Sequence, residues 1–370
     1  MKPPLISTAV FALAVFFVLP MAAADHWEIQ YRYRQVDSTL SLNDMAFPDA
    51  KHGIACGYTT DRKDKVHPLV LLTNNAGDTW TEVPGKEACL SMFFLDDGTG
   101  WMVTDAGIWT TEEAGRNWTK LKTSPTNILR LWFLDRQHGF AAGREKHVFE
   151  TKDGGTTWTP LAAATNAPGS PTYTTYGDIN FSGKKGLISG WNIPPSRGGP
   201  DWMETDRAKA EKQVPHLSIL LQTHDSGATW VQSEASLFGQ ITRISLSPQA
   251  AGLGLVEFKD QFDYPSEVYK IDTATGLNTM AFRAKDRAIT DVRLFPGSST
   301  GLIVGYETSG PVYRSPIPGK LKVLRSDDLL NWTEMEVDYR AVAHGALITG
   351  PDDKHVWIAT DTGMILKLVQ

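Results

Sequence analysis

The chain has 370 residues, 41% of them hydrophobic and 21% charged, with a formal net charge of −6. That apolar content supports a packed core rather than a disordered polymer. The negative balance, with no cluster of Lys and Arg, excludes the basic footprint that nucleic-acid binding requires.

Residues 1–24 read as an export signal. Lys2 supplies the positive end, residues 5–19 the apolar run, and Ala22, Ala23 and Ala24 a small-residue cleavage site before Asp25. The run is short for a spanning helix. The mature chain, residues 25–370, is therefore expected in the periplasm or secreted, with no stable membrane insertion after cleavage. Cys56 and Cys89 fall in neighbouring repeats, and a disulfide and a pair of buried thiols both remain open. The nine His residues show no ligand spacing, so no metal and no cofactor is expected.

Residues 27–36 form a strand pattern rich in Trp and Tyr that belongs to no repeat of its own. Beyond them, one turn recurs. Residues 151–158 read T-K-D-G-G-T-T-W, with Asp153 and Trp158, and residues 223–230 read T-H-D-S-G-A-T-W, with Asp225 and Trp230. Residues 73–80 carry Asn75 and Trp80 in those places, and residues 111–118 carry Glu113 and Trp118. Residues 326–332 keep Asp328 and Trp332 but are one residue short and lack the Gly. In such a turn the carboxylate accepts backbone N–H groups. The Gly takes a conformation that a side chain forbids, and the Trp buries a large ring between strands. These stretches resemble the Asp-box, or bacterial neuraminidase repeat, whose carboxylates are structural rather than catalytic.

Between the turns lies a second repeat. An apolar strand ends in an anchor, a polar turn follows, and a Gly opens the next strand. The pairs are Phe47 and Gly53, Phe94 and Gly100, Phe133 and Gly139, Phe181 and Gly186, Leu246 and Gly252, and Phe295 and Gly301. A seventh copy near residues 342–359 lacks the Gly. Short β-rich runs with a period of about forty residues predict an all-β, seven-bladed β-propeller of four-stranded blades. The chain ends after the third strand of the seventh blade, so the strand at 27–36 is expected to supply the fourth and close the ring, removing free sheet edges.

Seven such blades, Asp-box turns and an export signal together resemble the photosystem II assembly and stability factor family, over roughly residues 27–370. The resemblance implies a lumenal or periplasmic propeller that binds early intermediates of a membrane complex. Its decayed turns and the interruption of blade 4 set this chain apart, so the fold and the binding role are carried over, and the photosystem is not.

Function is expected where the repeat breaks. The link at 191–216 in blade 4 is the longest, carries Trp191, Arg197 and Trp202, and has the capping spacing for a short helix over 202–213. Blade 5 adds Phe262, Asp263 and Tyr264, and blade 6 adds Tyr306, Tyr313 and Arg314. Aromatic residues and Arg are the types favoured at binding hot spots; a tolerated surface insertion is the plainer alternative. Counting three residues back from each anchor gives Asp44, Ser91, Arg130, Asp178 and Arg243 on the face opposite the anchors, with Asp291 one position out of step and His344 in blade 7. They form either a self-compensating ring of charge or a site where Arg130 and Arg243 hold a small polar or anionic ligand. The resulting expectation is a monomeric, non-enzymatic binding or assembly factor for a protein partner, such as a membrane-complex subunit or assembly intermediate. The alternative is a sialidase-like glycoside hydrolase that would draft Arg130, Arg243 and Arg293 to hold a substrate carboxylate. Against it, no Arg-Ile-Pro stretch follows the signal.

Overall fold

In blades 1 to 4 the first strand ends at or beside Phe47, Phe94, Phe133 or Phe181, lying against the Gly that opens the second strand. A Cβ on Gly53, Gly100, Gly139 or Gly186 would sit 2.3–2.6 Å from the anchor ring. Only Gly lets the ring lie over the backbone there. The anchors then stack on the preceding blade. Trp101 of blade 2 lies flat on Phe133 of blade 3, and Trp357 of blade 7 on Phe47 of blade 1, both with ring centres 3.6 Å apart. Trp101 and Trp357, each in the second strand of its blade, therefore do the same work at two seams.

The computed structural model describes residues 25–195, 215–248, 251–258, 264–308 and 315–370. Among them the strands form seven sheets, six of which number four strands taken in chain order. The innermost strands are Ser38–Ala46, Cys89–Phe94, Ile128–Phe133, Thr174–Ser182, Gln240–Leu246, Arg287–Leu294 and Ala346–Thr349. Each touches those of its neighbours, and the last touches the first, so the blades close into a ring. The fold is a seven-bladed β-propeller.

The seventh sheet is the closure. The N-terminal strand His26–Arg32 pairs antiparallel with Met364–Val369, as the missing fourth strand. It ends at Arg32 rather than at residue 36, and Val36 is 91% exposed. Glu336–Val337 then adds to it in parallel as a fifth strand, which the repeat count did not anticipate. Blade 6 has an outer strand of only two residues, Thr333–Glu334, so the chain is free to cross to blade 7 immediately after it.

The turns joining third and fourth strands follow the carboxylate logic. Asp153 accepts Thr157 N–H at 2.8 Å and the Thr157 hydroxyl at 2.6 Å, while Gly155 N donates to Thr151 Oγ1 at 2.8 Å. Asp225 repeats this with Thr229, Gly227 and Thr223. Asn75 keeps the backbone bond, accepting Thr79 N at 3.0 Å. Glu113 reaches only the Asn117 side chain. Asp328 caps the N–H groups of Leu330 and Asn331, and Leu329 takes the left-handed conformation, with φ of 62°. Trp80, Trp118, Trp158 and Trp230 each meet the anchor ring of their own blade edge-on, and Trp332 packs in the seam between blades 5 and 6.

Cys56 and Cys89 are joined as a disulfide, with Cα atoms 5.9 Å apart, linking the second strand of blade 1 to the first of blade 2. A short helix, Ala162–Asn166, lies between blades 3 and 4 and accepts the Tyr176 hydroxyl at Ala164 O. It was not foreseen, since its five residues are too few to show helical periodicity.

Candidate functional site

The channel is built by a repeated irregularity. In six blades the first strand carries a bulge just before its inward polar residue: between Leu42 and Asp44, Cys89 and Ser91, Ile128 and Arg130, Tyr176 and Asp178, Ile241 and Arg243, and Ile289 and Asp291. A bulge twists the strand and re-aims the next side chain. Here it turns each polar group toward the axis. The partner strand makes room for it: a Cβ on Gly57, Gly143 or Gly305 would lie about 2 Å from a carbonyl oxygen at the bulge.

Two expectations are corrected. Asp291 is in step with the others, because the residue opposite Gly301 is Leu294 and not Phe295. His344 is not in the ring. It lies outside the first strand of blade 7, edge-on to Tyr306 at 5.5 Å, and Leu347 takes the inward position.

Asp44, Asp178, Asp291, Arg130, Arg243 and Arg293 line a funnel of about 340 Å³. Each carboxylate staples two neighbouring blades. Asp44 accepts Met92 N at 2.8 Å, Asp178 accepts Ile244 N at 2.6 Å, and Asp291 accepts Ile348 N at 2.7 Å. Arg130 Nε lies 3.9 Å from Asp178, and Arg243 Nε 3.7 Å from Asp291. Burial pushes Asp178 up to about 6 in spite of Arg243 and Arg130. Burial also raises Asp291, against Arg243. Burial and the like charge of Arg243 lower Arg130. Burial opposes the charge on Arg243 too, but Asp291 and Asp178 hold it above its ordinary value. With three carboxylates facing three guanidinium groups, the funnel is balanced in charge. Arg130 and Arg243 each already face a carboxylate from the next blade.

The other candidates scatter. Trp191 lies inside the second strand of blade 4, Lys185–Asn192, rather than in the link, and covers Gly177 of the first strand. The third strand begins at His216. Tyr264 faces Arg283, 4.5 Å from its ring centre, at the lip of a cleft between blades 4 and 5. Tyr306 is half-buried in blade 6. Arg197, Trp202, Phe262, Asp263, Tyr313 and Arg314, and the helix expected over 202–213, lie outside the described residues. Among the described residues no helix is long and apolar enough to cross a membrane, and no group of three His, Cys, Asp or Glu side chains is placed to hold a metal. The blade 4–5 cleft was missed from sequence, although its signal was visible as the blade without a box Trp.

Residues 120–203 match the family model described as "Photosynthesis system II assembly factor YCF48". A stretch of 104 residues, 27% of this chain, is 30% identical to the chloroplastic photosystem II stability/assembly factor HCF136 of Arabidopsis thaliana, and the match spans 25% of that relative's length. Among solved structures, YCF48 bound to D1 peptide superposes with a TM-score of 0.59 over 93% of this chain and 97% of that one, at 15% identity. YCF48 from Cyanidioschyzon merolae gives 0.57, over 92% of this chain and 98% of that one, at 14% identity. The GH74 xyloglucanase from Xanthomonas campestris gives 0.60, covering 92% of this chain but 53% of the enzyme, at 11% identity. The chain is thus a seven-bladed propeller that resembles the photosystem II assembly factors.

Proposed function

We propose that this chain is an exported, non-enzymatic scaffold that binds a protein partner, such as a membrane-complex subunit or an assembly intermediate. One observation carries the reading. The three carboxylates that line the channel, Asp44, Asp178 and Asp291, are used to staple blades together, each accepting a backbone N–H from the next blade. A group so engaged holds structure rather than a reacting atom. The match to the assembly-factor model over residues 120–203, and the likeness in fold to a YCF48 solved with a D1 peptide, support a protein as the ligand class. Export rests on residues 1–24, and the monomeric state on the closed ring, whose outer edges alone remain free to pair. Chemical cross-linking of the epitope-tagged chain in its native envelope tests the reading. The expected result is a discrete set of protein adducts; adducts no different from those of an unrelated exported propeller would refute it.

The second reading, a glycoside hydrolase, draws on the fold likeness to the GH74 enzyme and on Asp178, a buried carboxyl at about 6, the range of a general acid. Turnover of a xyloglucan oligosaccharide or a sialoside by the purified chain, abolished by Asp178→Asn, would establish it in place of the first.

A further inference from the structure

At most seams a box Trp fills the space between blades. Trp230, for example, meets Phe181 of blade 4 and Phe140 of blade 3 edge-on. Blade 5 has none. Its third strand pairs Ile271 with Gly252, where blade 4 pairs Thr223 with Gly186, and the chain returns through a tight turn capped by Asp272. The blade 4–5 seam is accordingly thin. Among the described residues, only Leu187, Ile244 and Leu246 are buried in its cluster, against twelve in the cluster between blades 3 and 4. Small residues add to the deficit: Ser218 lies on one wall, and a Cβ on Gly254, on the other, would meet only Ile271. The result is a cleft of about 670 Å³, walled by Leu187, Leu220, Ile241, Ile244, Val256 and Ile271.

The lip of this cleft is a sheet edge. The outer strand of blade 4, Val231–Leu237, is seven residues long, where blades 2, 3 and 6 have outer strands of two. All seven residues pair inward with His216–Thr223, and no described strand pairs on the outer side. Ser233, Ala235 and Leu237 line the cleft, while Gln232 and Glu234 bond to each other. On the cleft side the edge thus presents the small or apolar groups Ser233, Ala235 and Leu237, and most of the strand is exposed. Unpaired edges template the addition of a strand. The fold already does this once, where Glu336–Val337 adds in parallel to the equally long outer strand His26–Arg32 of blade 7.

We propose that an extended peptide segment of a protein partner pairs with the Val231–Leu237 edge and places one aromatic side chain in the blade 4–5 cleft, filling the slot that the missing box Trp leaves empty. The choice of a peptide rests on the protein-binding reading above. The choice of an aromatic follows from the rings that occupy the equivalent space at other seams. The edge spans about 23 Å, enough for six or seven extended residues. An aromatic anchored in such a pocket is the usual form of an interface hot spot.

A heptapeptide display selection on the full chain tests this. The enriched peptides should share one Trp, Phe or Tyr, and as synthetic peptides they should bind Ala235→Trp at least tenfold more weakly than the parent. Ala235 is exposed on the edge, so its replacement fills the cleft mouth without disturbing the core. Ser218→Leu, which fills the cleft from its buried wall, should act the same way. Binding to Val36→Ala, at an exposed residue beyond the N-terminal strand on the blade 7 side of the ring, should be unchanged. Failure to enrich any peptide, enrichment without an aromatic, or undiminished binding to Ala235→Trp overturns the proposal. If Ala235→Trp retains the cross-linked envelope partners, the binding function stands and the cleft is not its site. If peptides occupy the cleft but no envelope partner is found, the cleft stands and the proposed function falls.

Discussion

Trp27→Ala isolates the energy of ring closure. Trp27 is 1% exposed and packs with Leu321, Val323, Leu366 and Leu368 where the N-terminal strand, blade 6 and the last strand of the chain meet. Its backbone is gripped from both sides, opposite Leu368 on the inner strand and Val337 on the fifth. The indole N–H reaches only Met335 Sδ, at 3.5 Å, a weak acceptor, so the loss is almost wholly one of packing. Removing a fully buried Trp costs about 3–5 kcal/mol in transfer energy and cavity. A domain is commonly stable by about 5–15 kcal/mol. The variant should therefore remain folded with a sharply lower urea midpoint, read by circular dichroism, and trypsin should cut at Arg32 and Arg34 far faster. Val36→Ala, at a residue 91% exposed beyond the end of the strand, should change stability by no more than about 0.5 kcal/mol. A loss under about 1 kcal/mol for Trp27→Ala, with the N-terminal strand still resistant to trypsin, would show that this strand does not lock the ring.

The channel carboxyl Asp178 binds its proton more tightly folded than unfolded, since burial holds it at about 6. Its effect on stability is therefore most favourable below about pH 4 and is lost as pH rises through 6, by about 3 kcal/mol; urea midpoints from pH 4 to 7 should fall along this window, and Asp178→Asn should flatten the fall. Asp225 is the opposite case. Bonds from the Thr229 hydroxyl and amide depress it to about 2, so its contribution is present above about pH 4 and fades as pH drops toward 2, and carboxyl-carbon NMR should find it titrating near that value. Asp225→Asn should destabilise less than Asp225→Ala, because Asn75 already performs the same backbone capping in blade 1; equal losses would mean that the charge, not the acceptor, holds the turn.

What the amino-acid order determined by itself is whatever is decided within a few residues. A Gly admits the anchor ring, a Thr and an Asp cap a turn, and alternation divides the faces of a strand. Repeated at a steady interval, these local rules yielded seven blades and, from one missing strand, closure by the N-terminus. Counting failed where the anchor was ambiguous. Leu294 and Phe295 are both apolar, and only the pairing with Gly301 shows that Leu294 is the anchor and that Asp291 joins the ring. His344 gave way to Leu347 because blade 7 lacks the Gly that marks the anchor, so only its strand pairing fixes the position. Tertiary structure alone decided the pairings across seams. The Cys56–Cys89 bond needs two Cα atoms brought to 5.9 Å. The engagement of Arg130 by Asp178 and of Arg243 by Asp291, each about fifty residues along the chain, turns two guanidinium groups that read as ligand holders into members of a balanced ring. The blade 4–5 cleft belongs to the same class. A missing Trp is visible in the sequence, but whether neighbours fill its place depends on how two blades meet, and a run of residues carries no record of that distance.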